Sequence, residues 1–124
     1  MNVEEITDYC LSLPNVTSDF PFDDTTMVFR VGQKIFALVS LDSHPPRINL
    51  KCDPDKAIEL REQYEGVQPG YHMNKKHWNT VYCDDFNLPQ KVIKDLILHS
   101  FDLVFKSLTK AAREHLNANG HGSI

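Results

Sequence analysis

Nothing in this chain of 124 residues comes near the run of about 20 apolar residues that a membrane-spanning helix requires. Its first residues, Met1-Asn2-Val3-Glu4-Glu5, are acidic where a signal peptide would be basic and then apolar. Cysteine is scarce: Cys10, Cys52 and Cys83 are odd in number and lack CxxC spacing. That predicts free thiols in a reducing compartment, hence a cytoplasmic protein with no membrane partner. A basic excess is also missing. The formal net charge of −4 speaks against a protein that coats nucleic acid indiscriminately. No GxSxG, P-loop, GxGxxG or HExxH pattern occurs. Cys83 lies nearest in sequence to His77, but six residues of extended chain would hold thiol and imidazole far apart, so no activated nucleophile results. Asp84-Asp85 reads as a solvated turn. The expectation is no enzyme, no catalytic residue and no cofactor.

What is present suits one domain, read as residues 1–116 with a flexible tail at 117–124. An apolar fraction of 41% and a charged fraction of 24% are ordinary for a globular chain. The charge is unevenly spread. Residues 1–29 hold six carboxylates (Glu4, Glu5, Asp8, Asp19, Asp23, Asp24) and no Lys or Arg, whereas residues 66–83 hold Lys75 and Lys76 and no acid. Any anion-binding surface must be local.

Local patterns predict the elements. Asn2 with Glu5 three residues on resembles a capping box, and Val3, Ile6, Cys10 and Leu13 follow helical spacing until Pro14. Residues 14–24 read as a loop with Phe20 and Phe22 tucked onto the core. Thr25–Val31 and Lys34–Leu41 predict a hairpin with a type II′ turn at Gly32-Gln33 and Val31 opposite Lys34. In that register Met27, Phe29, Val31, Phe36 and Leu38 share one face, and the opposite face is also largely apolar. Arg47 to Lys51 alternates as a third strand, with Ile48 and Leu50 on one side and Arg47, Asn49 and Lys51 on the other. Asp53-Pro54 opens a helix that runs to about Tyr64. A second hairpin is expected over 67–83, turning at Asn74-Lys75-Lys76. From Pro89 to Leu108 the apolar positions trace a long amphipathic helix. The order is α-β-β-β-α-β-β-α. Adjacent strands without crossovers predict a two-layer α+β fold on an antiparallel sheet of about five strands.

The densest chemistry lies in Pro69-Gly70-Tyr71-His72-Met73-Asn74-Lys75-Lys76-His77-Trp78-Asn79-Thr80-Val81. These thirteen residues carry the one tryptophan, two histidines and two lysines, with no carboxylate. Turning at Asn74-Lys75 would set His72 opposite His77, with Cβ atoms about 5 Å apart, half of a metal site. No third ligand is placed to complete it, so no metal is expected. The same register sets Tyr71 opposite Trp78 as an aromatic pair on the core; the alternative is a stacking platform for a base. For a nucleic-acid ligand, Lys75, Lys76, Arg47 and Lys51 would meet phosphates, Asn74 and Asn79 would hydrogen-bond bases or phosphates, and His72 and His77 would add charge at lower pH. Four cations imply weak, salt-sensitive binding to DNA. The competing class is a module for a peptide, protein subunit or small ligand, using an apolar sheet face left without helices.

Together with Arg47-Ile48-Asn49-Leu50-Lys51-Cys52-Asp53-Pro54 and His99-Ser100-Phe101-Asp102-Leu103-Val104, the same stretch resembles the MmcQ/YjbR family of small bacterial proteins over about residues 3–110. The resemblance implies a two-layer α+β fold, similar in architecture to secretion chaperones, and a description as DNA-binding through a two-winged arrangement. One position departs from the pattern: the family commonly has Tyr after the last motif's Ser, and Phe101 stands here, so a hydroxyl role is absent at that site.

Overall fold

A computed structural model of the chain describes residues 1–84 and 88–120; the expectation for Asp85 lies outside them. Helix α1 (Val3–Ser12) starts from the expected capping box, in which Asn2 accepts from the Glu5 N–H and Glu5 accepts from the Asn2 N–H. It buries Ile6 and Cys10. Six strands follow: β1 (Val16–Asp19), β2 (Thr26–Val31), β3 (Lys34–Ser40), β4 (Arg47–Lys51), and, after helix α2 (Pro54–Gln63), β5 (Val67–Pro69) and β6 (Trp78–Tyr82). Helices α3 (Gln90–Ser107) and α4 (Lys110–Gly120) complete the order. No described helix is long and apolar enough to cross a membrane.

The strands form one antiparallel sheet in the order β1-β2-β3-β4-β6-β5. The α+β class and two layers are therefore as expected, with six strands rather than five. The strand that sequence patterning missed is β1, placed in a loop because Val-Thr-Ser-Asp offers no apolar alternation. It is an edge strand on which only Val16 is even half-buried, and it pairs Val16 with Val31 through Asp19 with Val28. Phe20 and Phe22, expected on the core, are 44% and 67% exposed. The helix after Pro89 ends at Ser107 as drawn, but α4 then continues to Gly120 through half of the residues read as tail. Residues 121–124 lie outside the described chain.

One irregularity governs the sheet. Gly32 (φ 58°) and Gln33 (φ 68°) both have positive φ, so the turn is of type I′ rather than II′, the twist-matched alternative for a two-residue connection. Val31 faces Lys34 as expected. Beyond Arg30 opposite Ile35, the pairing then jumps to Phe29 opposite Ala37. Phe36 is the extra residue of a β-bulge, and the bulge resets the alternation. Phe36 and Ala37 both enter the helix-side core, while Ile35 and Leu38, three residues apart, both turn to the other face. The uniform register expected from sequence had put Phe36 and Leu38 together.

The core lies between the sheet and α1, α2 and α3. It holds Ile6, Phe29, Phe36, Val39, Ile48, Leu50, Ala57, Val81, Ile97 and Phe101 among others. Phe36 meets Phe101 edge-to-face at 5.5 Å between ring centroids. The three cysteines are buried and unpaired. Burial pushes Cys10 and Cys83 up to about 12 and Cys52 up to about 11, which keeps all three as inert thiols.

Ser100 is the polar rivet of this layer. It is fully buried, accepts from the Lys51 N–H (2.8 Å) and donates to the Phe36 carbonyl (2.6 Å), tying α3 to β4 and to the bulge at once. Ser100→Ala would orphan both backbone groups, a loss of about 1–3 kcal/mol. Urea denaturation measures it, and an unchanged midpoint would show that water replaces the hydroxyl.

Candidate functional site

Helices α1, α2 and α3 pack on one face of the sheet, and the described lining of a groove on the opposite face comes from strands and connections alone. On that face β4 presents Arg47 and Asn49, because alternation sends Ile48 and Leu50 to the core. The bulge delivers Ile35 and Leu38, and β6 adds Trp78. Phe22 reaches in from the 20–25 connection; Tyr71, His72 and Met73 come from the 70–77 connection. With Thr26 and Ser40 these residues enclose a groove of about 400 Å³. Among the described residues no carboxylate lines it.

The 70–77 segment owes its shape to a dense set of bonds. The Gly70 N–H donates to the Trp78 carbonyl (2.9 Å), the Trp78 N–H to the Asn74 carbonyl (3.0 Å), and Lys75 Nζ to the Gly70 carbonyl (3.0 Å). A Cβ at Gly70 would lie 2.9 Å from both Cβ and the carbonyl oxygen of Trp78, so glycine is what permits this close approach. His72 takes a left-handed conformation (φ 56°). From the helix side, Arg61 of α2 donates through Nε to Asn79 Oδ1 (2.7 Å), through Nη2 to the Trp78 carbonyl (3.3 Å), and also to the Lys75 carbonyl. One guanidinium thereby ties the C-terminal end of the connection and the start of β6 to α2.

Polar groups under the groove are ordered in a chain. The Tyr71 N–H donates to Thr80 Oγ1 (2.9 Å), and the Thr80 hydroxyl donates to Asn49 Oδ1 (2.6 Å). Arg47 lies over the Tyr71 ring at 4.9 Å from its centroid, and its Nε donates to Ser40 Oγ (3.3 Å). Among the described residues Arg47 forms no ion pair.

The eight residues expected to bind nucleic acid do not share one surface. Arg47 and His72 line the groove. Lys51 is on the same strand face but opposite Trp78, roughly 13 Å along the strand from Arg47 at 3.3 Å per residue. Asn74 and Lys76 are exposed on the connection, where Asn74 Oδ1 accepts from the Lys76 N–H (2.9 Å). The Lys75 ammonium is turned back on Gly70. The His77 carbonyl accepts from the Cys52 N–H (2.8 Å), anchoring that residue to the start of α2. Asn79 must be withdrawn as a ligand contact: it is 2% exposed, stands opposite core Leu50, and its carbonyl oxygen is taken by Arg61.

The second hairpin differs from the expected one in register. Val67 pairs with Val81 and Pro69 with Asn79, and the ladder ends there. His72 therefore does not face His77 across a ladder, and Tyr71 does not pair with Trp78. Among the described residues no group of three or more His, Cys, Asp or Glu is placed to hold a metal. Trp78, expected on the helix-side core, instead lines the groove, and Tyr71 is 52% exposed. Neither hairpin stands free as a wing: β2, β3, β4 and β6 are interior strands of one sheet.

Sequence reasoning missed Arg61, Asn49, Leu38 and Phe22. Asn49 was legible, since it shares the alternation of Arg47 and Lys51. Leu38 was hidden by the bulge, and nothing local marks Arg61 or Phe22.

The YjbR family model matches residues 11–103. The chain is 43% identical over 100 residues to the uncharacterized protein YbdF of Escherichia coli O157:H7, covering 81% of each chain. It is 32% identical over 116 residues to the uncharacterized protein YjbR of Escherichia coli K12, covering 94% of this chain and 98% of that one. Among solved structures, a Deinococcus radiodurans protein with the DUF419 domain superposes with a TM-score of 0.87 at 39% identity, over 94% of this chain and 88% of the other. A Pseudomonas syringae protein does so with a TM-score of 0.73 at 31% identity, over 84% and 99%. On sequence and fold together, this chain belongs to the YjbR family.

Proposed function

We propose that this protein is a binding module rather than an enzyme, and that its ligand is taken up by the groove on the open face of the sheet. The observation that carries the reading is the groove's composition. About 400 Å³ falls within the roughly 300–1,000 Å³ of small-ligand sites, and a mostly apolar lining with a few convergent polar groups is their usual chemistry. The burial of the three thiols, which holds them neutral, and the absence of a catalytic motif in the sequence favour binding over catalysis. Trp78 is the single tryptophan and lines the groove, so its emission reports occupancy directly. Amide NMR spectra recorded with a small-fragment library test the reading. Shifts clustered on Leu38, Asn49, Tyr71 and Trp78 support it; fragments that gather elsewhere, or none at all, remove it.

A second reading, nucleic-acid binding, is favoured by the exposed Tyr71 and His72 rings, 4.1 Å apart between centroids, beside the exposed Lys76 and Lys75. It predicts micromolar or weaker affinity for labelled duplex or single strands near physiological salt, since non-specific binding lies at about 10⁻⁴–10⁻⁶ M. Each phosphate contact adds about −0.9 to the slope of log K against log salt. The double variant Lys75→Ala/Lys76→Ala should therefore flatten that slope by about two units without unfolding the protein. Anisotropy that shows no binding even at low salt eliminates this reading and leaves the groove reading untouched.

A further inference from the structure

Resting on the groove as a ligand site, we infer that it takes a small aromatic carboxylate: a flat apolar ring carrying one carboxylate that pairs with Arg47. Arg47 is the single fixed charge among the described groove-lining residues. Its Cζ lies over the Tyr71 ring, 4.9 Å from the centroid, and its Nε donates to Ser40 Oγ. The terminal Nη groups donate no hydrogen bond among the described residues, so the guanidinium is oriented with its remaining fork unspent. A planar fork held in this way matches a carboxylate in bidentate fashion at little further ordering cost.

Asn49 supplies a second donor. Thr80 Oγ1 accepts from the Tyr71 N–H and donates its hydroxyl hydrogen to Asn49 Oδ1. With the Asn49 oxygen accepting from Thr80, its NH₂ is left to donate. It stands two residues from Arg47 on the same face, roughly 7 Å along the strand. Leu38, Ile35, Met73 and Trp78 form apolar walls around these two donors, suited to a ring that stacks on the indole and meets the thioether.

Charge count favours a carboxylate over a phosphate. One guanidinium balances one negative charge, whereas a phosphate monoester carries about −1.5 to −2. Among the described residues no second cation lines the groove; Lys75 is bound to Gly70 and Lys51 stands opposite Trp78, at the far end of β4 from Arg47.

The test uses the full chain and four probes: 3-phenylpropionate, its neutral amide, adenosine monophosphate, and a short peptide ending in Phe. Calorimetry gives affinities and Trp78 emission gives location. The acid should bind about tenfold or more tighter than the amide, the scale of a charge-assisted hydrogen bond. In Arg47→Gln the preference for acid over amide should vanish, with the two ligands binding equally and the amide NMR spectrum of the native fold retained. Equal binding of acid and amide, with Trp78 responding to both, overturns the carboxylate inference and keeps the groove. Tighter binding of the nucleotide or of the peptide overturns it in favour of that ligand. If no probe moves Trp78 emission, the inference falls, and failure of the fragment library as well would take the groove reading with it.

Discussion

Arg61→Ala is expected to lower the unfolding free energy by about 2–3 kcal/mol, the upper range for hydrogen bonds made by a charged group. The loss has two parts. Asn79, 2% exposed, would keep a buried carbonyl oxygen with its donor gone, and the Lys75 and Trp78 carbonyls would lose their shared anchor. Because those carbonyls hold the C-terminal end of the connection that forms one wall of the groove, the effect reaches beyond global stability. Amide exchange at Met73, His77 and Trp78 should quicken by more than the global change alone explains. Arg61→Lys should recover only part of the stability, since one ammonium cannot reproduce the planar set of donors. Exchange rates and a urea midpoint equal to wild type would mean that the guanidinium merely decorates α2.

The larger stability loss is expected at Phe36. Its side chain is fully buried and packs edge-to-face on Phe101, with Phe29 at 6.4 Å between centroids. Truncation to alanine leaves a cavity where β3, β2 and α3 meet, a change that costs about 3–5 kcal/mol for a core Phe. Phe36→Leu should cost much less, because it retains most of the volume. Chemical denaturation distinguishes the two. A loss in Phe36→Ala below about 1 kcal/mol, the centre of the range for ordinary substitutions, would show that the bulge relaxes to fill the space.

How far the chain could be read before its structure depended on how local each signal was. The first two helix starts were right because caps are written in adjacent residues: Asn2 with Glu5, and Asp53 with Pro54. The Arg47–Lys51 strand was right because its alternation is clean. The second hairpin failed for a physical reason. Asn79 and Thr80 are both polar and both buried, so the polar pattern along β6 does not reveal which face is inside. One is satisfied by Arg61, eighteen residues away, and the other by Asn49, thirty-one residues away. With parity lost, Trp78 was sent to the core and Asn79 to the ligand. Gly70 then shortened the ladder by packing on Trp78, which no pairing rule anticipates. Of the candidate site, the basic and aromatic character of residues 69–81 was legible. The apolar half contributed by the bulge was not.

The bulge at Phe36 has a consequence for how this protein can be altered. Because one surplus residue sends Ile35 and Leu38 to the groove and Phe36 and Ala37 to the core, any change in chain length between Lys34 and Val39 exchanges inside for outside along part of the strand. Deleting the surplus residue would give a smoother ladder while turning a wall of the groove into the helices. A redesign of ligand preference therefore has substitutions at Ile35 and Leu38 as its usable freedom. Insertions and deletions belong instead in the 20–25 connection, where Phe22 approaches the groove from outside the ladder and the spacing can vary without reversing a face.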